Sequence, residues 1–416
     1  MYKTIVYFIL LSSSLYALST HQEENNLTVN IKSIRGLMGT NNPIKHSSGQ
    51  IRAGFIRFSE NDSSPNNAYA LGGHYHLDTK RWNGIEFGIS VYTVLNLTTH
   101  QNTSYINPDF FDRNNHSFIQ VTEAYIDGTW LNTTLKLGRQ ILNTPHTDSD
   151  DIRMIPNYFE AYTFKNSDIK NLTFELGYIR KMAGWENGVN PASFVNIGQS
   201  FGTNDIDGLY YASTTYNGIK DMSLSLWFYH IIDIANIWYG EIAYELHPLD
   251  FLDTTFGIQY DISEQTNIAL LGKQDAKTIG ISAEFASEIL GIHLFTAYNK
   301  DFGRTGASSL NLGGGALFTS MENQTLDALG EAGEAWVLGL GYHFSAIGID
   351  GLNADIAYGH FASTKTSNNK VNELNFIVEY TLNENFSLLG AYASTKFKNS
   401  QTPKNTQFRI ISNYNF

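Results

Sequence analysis

Apolar and polar residues alternate one for one along most of the chain, in runs of about ten residues separated by turn-forming clusters. Tyr69, Leu71, Tyr75 and Leu77 alternate with Ala70, Gly72, His74 and His76. Ile85, Phe87, Ile89, Val91 and Leu95 alternate with Glu86, Gly88, Ser90 and Tyr92. Further on, Trp238, Ile242, Tyr244 and Leu246 oppose Tyr239, Glu241, Ala243 and Glu245. Trp336, Leu338, Leu340, Tyr342 and Phe344 oppose Gly339, Gly341 and His343, and Leu374, Phe376, Val378 and Tyr380 oppose Glu373, Asn375 and Glu379. A period of two belongs to strands, whose successive side chains point to opposite faces; helical spacing fits none of these runs. About eighteen such strands are predicted between Gln50 and Phe416, within the even-numbered range of membrane barrels. Their predicted starts lie near 50, 67, 84, 117, 132, 159, 172, 208, 222, 236, 251, 277, 289, 335, 351, 372, 386 and 406.

The connections sort by parity. After even-numbered strands they are short: Lys80 to Asn83, Asn166 to Asn171, Gly218 to Asp221, His247 to Asp250, Asn383 to Asn385. After odd-numbered strands come the long ones: Asn96 to His116, Asn143 to Tyr158, Ala183 to Asp207, Asp301 to Glu334. Short turns on one membrane face and long loops on the other produce this asymmetry, which a soluble sandwich has no reason to show. The expected fold class is therefore all-β, a transmembrane antiparallel β-barrel with short periplasmic turns and long extracellular loops.

Composition and the chain ends agree with that fold. Tyr (24) and Phe (26) are abundant enough for aromatic girdles at two interfaces. Residues 1–19 read as a signal peptide: Lys3, the apolar run Ile5 to Leu11, then Ala17-Leu18-Ser19 as a small-x-small cleavage site. Residues 20–49 are expected to be an N-terminal lead-in, and 50–416 the barrel. The chain has no cysteine, which removes thiol catalysis, disulfides and thiolate metal sites. A net charge of −13 argues against a nucleic-acid partner.

The last residues, Thr406 to Phe416, put Phe408, Ile410, Tyr414 and Phe416 on one face and Gln407, Arg409 and Asn413 on the other. This ending resembles the final strand of bacterial outer-membrane barrels, which the barrel assembly machinery reads and which then closes the barrel. The strand from Thr406 is accordingly expected to pair with Phe386 to Lys396 and with the first strand.

A narrower resemblance lies between Leu135 and Tyr162, LKLGRQILNTPHTDSDDIRMIPNYFEAY. With Glu123-Ala124-Tyr125 before it, this stretch resembles the third-loop region of OprD-type outer-membrane porins, especially their epsilonproteobacterial branch. The shared elements are Gly138-Arg139-Gln140, Pro145, the acidic run before Arg153, Pro156 and Phe159-Glu160-Ala161. The resemblance implies a water-filled channel for passive diffusion of ions and small hydrophilic solutes, amino acids and carboxylates being candidates. It also implies an inward third loop near Asn143 to Tyr158 forming the constriction, with Arg139, Asp148, Asp150, Asp151 and Arg153 there. Homotrimers, surrounded by outer-membrane lipid, are common among porins.

Alternation places Glu86, Glu123, Lys136, Glu241, Glu373 and Arg409 on the pore lining, with Glu175, Glu245, Glu284, Asp355, Glu379, Arg52 and Arg180 as further candidates. The wall is mostly acidic, whereas OprD-type pores are associated with a ladder of basic residues guiding carboxylates. Strict alternation also puts Arg139 opposite Lys136, Gly138 and Gln140, so a lumenal Arg139 requires a bulge or the strand's exit from the membrane. Arg180 shares a face with Leu172, Phe174, Leu176 and Tyr178.

Other signals are weaker. His74 and His76 share a face but read more simply as pore lining than as half a metal site. The Asp148, Asp150, Asp151 group offers oxygen ligands for calcium without the EF-hand spacing. Gly313-Gly314-Gly315 lacks the Gly-Lys-Ser/Thr of a phosphate loop. A barrel of about eighteen strands favours a water-filled lumen over the narrower barrels that can be packed shut, so neither an enzyme nor a cofactor or metal is expected. The alternative function is a surface adhesin or receptor, anchored by the barrel and binding through long loops such as Asp301 to Glu334.

Overall fold

The computed structural model describes residues 43–61, 63–99, 105–203, 206–398 and 404–416. The expected signal peptide and most of the expected lead-in lie outside these residues. Eighteen antiparallel strands form one closed sheet. The first nine are β1 Ile44–Glu60, β2 Asn66–Thr79, β3 Ile85–Asn96, β4 Phe118–Trp130, β5 Thr133–Gln140, β6 Tyr158–Asn166, β7 Leu172–Ala183, β8 Leu209–Ile219 and β9 Met222–Ile231. The rest are β10 Ala235–Leu249, β11 Leu252–Gln265, β12 Asp275–Ser287, β13 Ile292–Asp301, β14 Gly333–His343, β15 Leu352–Ser363, β16 Lys370–Thr381, β17 Phe386–Phe397 and β18 Lys404–Asn415. A two-residue strand, Val195–Asn196, adds only to the upper end of β7. The strand starts follow the sequence expectation closely, except that β1 begins at Ile44 rather than near Gln50. The end of the segment expected as lead-in is thus strand.

Closure is made between the first and last strands. β18 pairs with β17 from Phe386↔Tyr414 to Lys396↔Lys404, and with β1 from Gln50↔Asn415 to Glu60↔Asn405. Beyond the strand, Phe416 and Gly49 exchange backbone bonds of 2.8 and 2.9 Å. In lipid every backbone polar group needs an internal partner, and a closed ladder is the β solution to that requirement.

Burial is inverted relative to a soluble sheet. On β11, Phe256, Ile258 and Tyr260 are 41, 50 and 45% exposed, whereas Gln259, Asp261 and Ser263 are at most 1% exposed. On β18, Phe408, Ile410 and Tyr414 face outward and Gln407 and Arg409 are buried inside. The apolar outer face belongs in hydrocarbon, while polar groups inside satisfy one another.

Apolar packing occurs instead inside the barrel, where loops fill its upper half. The second loop (105–117), third (141–157), fourth (184–203 and 206–208) and seventh (302–332) all contribute. Phe110 and Phe111 of the second loop and Met154 of the third pack on Ile56, Ala68 and Val94. Leu317, Phe318, Met321, Leu326 and Leu329 of the seventh pack on Phe295, Val337 and Phe361. Leu142, Leu310 and Leu312 join Ile197, Ile206 and the tyrosines and tryptophan of β8 to β10. The Asp301 to Glu334 segment, expected as an outer loop available to a partner, is therefore largely internal. Its many apolar side chains are covered only by turning inward.

Gly73 marks where the β1–β2 ladder tolerates no side chain: its φ is +132°, and a Cβ would lie 1.8 Å from the Gln50 carbonyl oxygen. Gly73→Val is expected to destabilise the barrel by roughly 2 kcal/mol or more. Gly390→Ala, where a Cβ meets nothing within 4 Å, should be neutral. Urea midpoints of the refolded barrels, followed by heat-modifiable migration, check both; equal midpoints would contradict the argument.

Candidate functional site

The third loop is held by an arginine on β1. Arg52 is buried and donates from both terminal nitrogens to Asp151, at 2.5 and 2.8 Å, in a bidentate pair. It donates further to the Arg153 carbonyl oxygen (2.8 Å) and to Asn413 Oδ1 on β18 (2.8 Å). The guanidinium fork thus ties the third loop, through one carboxylate and one backbone carbonyl, to the closing seam. Arg52 is buried but Asp151 is 43% exposed, so losing Asp151 strands a buried charge, whereas losing Arg52 leaves a carboxylate that water can still solvate.

Arg153 lies deeper and is also buried. Its Nε is 3.4 Å from Asp109 of the second loop, its guanidinium stacks 4.3 Å over Trp185 of the fourth, and it donates to Gln407 Oε1 at 3.4 Å. Burial lowers its pKa, and the nearby Arg409 lowers it further. Arg409 on β18 forms a bidentate pair with Glu322 of the seventh loop, 3.1 and 3.2 Å, with both side chains sealed from solvent. The seam strands β1 and β18 consequently anchor two loops, each by one arginine.

The loops meet at carboxyls. Asn157 donates to the Asp148 carbonyl oxygen (3.2 Å) and to Glu186 Oε2 of the fourth loop (2.7 Å). Burial pushes Asp148 up to about 6 and Glu186 to about 7. Asp150, at a φ of +36°, is raised well above the carboxylate range by burial and by the neighbouring Glu186 and Asp148. Between the loops and the lower wall runs a cavity of about 700 Å³. Its charged lining is Asp148, Asp150, Asp151, Glu186, Glu322, Asp327 and Glu379, with Arg52 the one basic residue.

Of the residues expected at the constriction, Asp148, Asp150 and Asp151 line this cavity and Arg153 lies buried behind it. Arg139 does not join them. It stays on the outward parity of β5, donating to the Val121 carbonyl oxygen (2.9 Å) with its guanidinium 4.3 Å over Phe194. No β5 residue pairs with Phe118 to Glu123 of β4, since β5 ends at Gln140, so Arg139 satisfies an edge carbonyl there. Arg180 likewise faces outward, 53% exposed and 3.4 Å from Glu160.

The expected pore-lining residues divide. Glu86, with Arg81 (2.9 Å) and Lys45 (3.7 Å), lines the lower lumen. Glu123 contacts His76 (3.2 Å), which also reaches Asp78 (3.1 Å), and Lys136 lies 3.7 Å from the centre of the Tyr125 ring. Glu241, Glu373 and Arg409 face inward but are covered, a correction to their assignment as lining. Tyr239 donates its hydroxyl to Glu241. Glu373 accepts from the Asn323 amide (2.9 Å) and from Thr395 (3.0 Å), so it docks the seventh loop. Asp151 is taken by Arg52, and among the described residues no three His, Asp or Glu side chains are placed to hold a metal ion together. Alternation alone did not reveal His146, Asp261 or Glu322; the signal was the apolar content of a stretch too greasy to project into water.

A closed eighteen-strand barrel, apolar outside and polar within, with loops folded into its lumen, defines an outer-membrane diffusion channel. The family described as outer membrane porin, OprD family, matches residues 98–416, and the chain belongs to that family. Among solved structures it is similar to Pseudomonas aeruginosa OccK9 (OpdG), at 17% identity and a TM-score of 0.77, covering 89% of this chain and 97% of that one. A BenF-like porin from Pseudomonas fluorescens Pf-5 gives 16% identity and 0.75 over 90% and 99%. Pseudomonas aeruginosa OpdK, solved with vanillate, gives 15% and 0.74 over 89% and 98%. No curated protein matches. The family and fold are those of non-enzymatic channels that pass small solutes by diffusion.

Because Arg139 lies on the outer face, Arg139→Ala should leave the zero-current potential in a salt gradient unchanged, whereas Arg52→Met should shift it by freeing Asp151. Planar-bilayer recordings of the two variants check this; a shift with Arg139→Ala would place that side chain in the path.

Proposed function

We propose that the third and seventh loops form the constriction of this channel and that it favours cationic and dipolar hydrophilic solutes, such as amino acids, over carboxylates. The observation that carries this reading is the cavity wall: with Asp151 paired to Arg52 and Glu322 to Arg409, the carboxylic side chains of Asp148, Asp150, Glu186, Asp327 and Glu379 are left along it without a basic partner among the described residues. Arg52 is neutralised by its bidentate grip on Asp151. Arg153 and Arg409 lie near Asp109 and Glu322 and are closed off from the cavity. A basic ladder able to guide carboxylates, the pattern of the resemblance, is therefore cancelled by internal partners. A solute carrying an ammonium group meets uncompensated carboxylates at the same place. Carboxylate passage is the second reading, favoured by the relative solved with vanillate.

The stretch Leu135 to Tyr162 supports placing the chain in the epsilonproteobacterial branch of the family. The outward aromatic and aliphatic face supports contact with outer-membrane lipid, and the alternation of β18 supports delivery by the barrel assembly machinery. Homotrimeric assembly is part of the same reading.

The pH dependence has a definite sign. Carboxyls with raised pKa values are neutral below them, so attraction for cations develops as pH rises through about 6 at Asp148 and about 7 at Glu186, and fades as pH falls. Zero-current potentials in a potassium chloride gradient should show cation preference at pH 8 that weakens toward pH 5. The combined Asp148→Asn, Asp150→Asn, Glu186→Gln variant should flatten that dependence. Anion preference at pH 8 would sink the acidic-path reading.

A further inference from the structure

The third and seventh loops are stitched to each other before either meets the wall. Thr147 forms a parallel bridge with Leu312, the Leu312 amide donates to the His146 carbonyl oxygen (3.0 Å), and the Asp148 amide donates to the Leu312 carbonyl oxygen (3.1 Å). Gly313 makes this approach feasible: with a φ of +128°, a Cβ there would lie 2.3 Å from the Asp148 carbonyl oxygen. The triple-glycine run, which has no phosphate-binding context, thus has a structural reason at its first position.

His146 fastens the stitched pair. Its Nε2 lies 2.6 Å from Asp261 Oδ2 on β11 and its Nδ1 lies 3.1 Å from the Leu310 carbonyl oxygen of the seventh loop. Both ring nitrogens lie within hydrogen-bond distance of an oxygen, so the ring is held from two sides. His146 and Asp261 are both almost fully buried. The ring is boxed by Tyr229 and Tyr239, with centroids at 5.2 and 6.1 Å, and Tyr229 donates to Thr144 Oγ1 (3.0 Å). One side chain of the third loop therefore bonds a wall strand and the seventh loop at once. It does so immediately beside Asp148 and Asp150, which line the cavity.

We propose that His146 and Asp261 are a positioning pair that holds the third and seventh loops as one unit against β11, and so fixes the open cross-section of the pore. Neither residue touches the solute. They act through the placement of the loop segments that do, and a buried hydrogen-bonded pair with a single geometry suits that task better than apolar contact, which permits sliding. The inference rests on the reading of these loops as the constriction.

Single-channel recording of the full chain tests it. His146→Ala, in barrels that migrate as folded, should give open-channel current at least about twofold noisier than the parent, with an altered unitary conductance. Asp261→Asn, which keeps the volume, should move both in the same direction. The chain has no cysteine, so Thr147→Cys with Leu312→Cys introduces one unique pair at bridge partners. Oxidised in the His146→Ala background, this cross-link should restore the parent conductance and quiet current, and reduction should abolish the rescue. A role limited to barrel stability would not respond to that cross-link. Parent-like noise and conductance in both His146→Ala and Asp261→Asn would overturn the proposal, as would a formed disulfide that rescues nothing. If only the positioning role fails, the Asp148, Asp150, Glu186 variant still shifts the zero-current potential; if the constriction reading fails, that variant leaves it unchanged too.

Discussion

Closure of the backbone ladder between Gln50 and Asn415 is the constraint on which the rest depends. In hydrocarbon an unpaired amide or carbonyl costs several kcal/mol, so β1 and β18 must meet in register along their length. The seam then serves a second purpose. Arg52 on one side of it grips the third loop through Asp151, and Arg409 on the other grips the seventh through Glu322. Closing the wall and placing the internal loops are consequently one structural event: neither arginine has its place beside the other strand until the barrel is complete.

Internal arginines can serve a pore in two ways. Left open to water they attract anions; bound to carboxylates they become fasteners. Here the bidentate geometry at Arg52 and Arg409, and the stacking of Arg153 on Trp185, decide for the fastener. Two of the acidic partners lie in loops 141–157 and 302–332, so the loops supply the carboxylates that silence the wall's positive charge. What is left facing the cavity is the surplus of acid. A net charge of −13 says nothing about where that surplus sits; the pairing does.

Strand number, the parity of loop lengths and the lipid-facing side of each strand were legible in the sequence because period two is a direct image of a two-faced wall. The start of β1 was not, since Ile44 to Gly49 carries a single apolar residue and no alternation to read. Arg139 shows two sources of inference disagreeing: strand parity placed it outward, similarity placed it in the constriction, and the wall obeys parity. Glu241, Glu373 and Arg409 show the limit of parity, which gives the face and not what lies over it.

The seventh loop is the instructive omission. Leu310, Leu312, Leu317, Phe318, Met321, Leu326 and Leu329 are spaced irregularly, so no periodicity marks them, and a long connection after an odd strand reads as surface. Burial is nevertheless demanded, because a stretch with that much apolar area exposed would be an aggregation or binding patch. The lumen of an eighteen-strand barrel is wide enough to accept it and offers β13 to β16 as a floor. Once inside, its polar backbone requires partners, and these are supplied by Gln259, Asn299, Glu373 and the edge of the third loop. The seventh loop's entry thus narrows the lumen and braces the third loop by the same set of contacts, so pore width and loop stability cannot be changed independently in this chain.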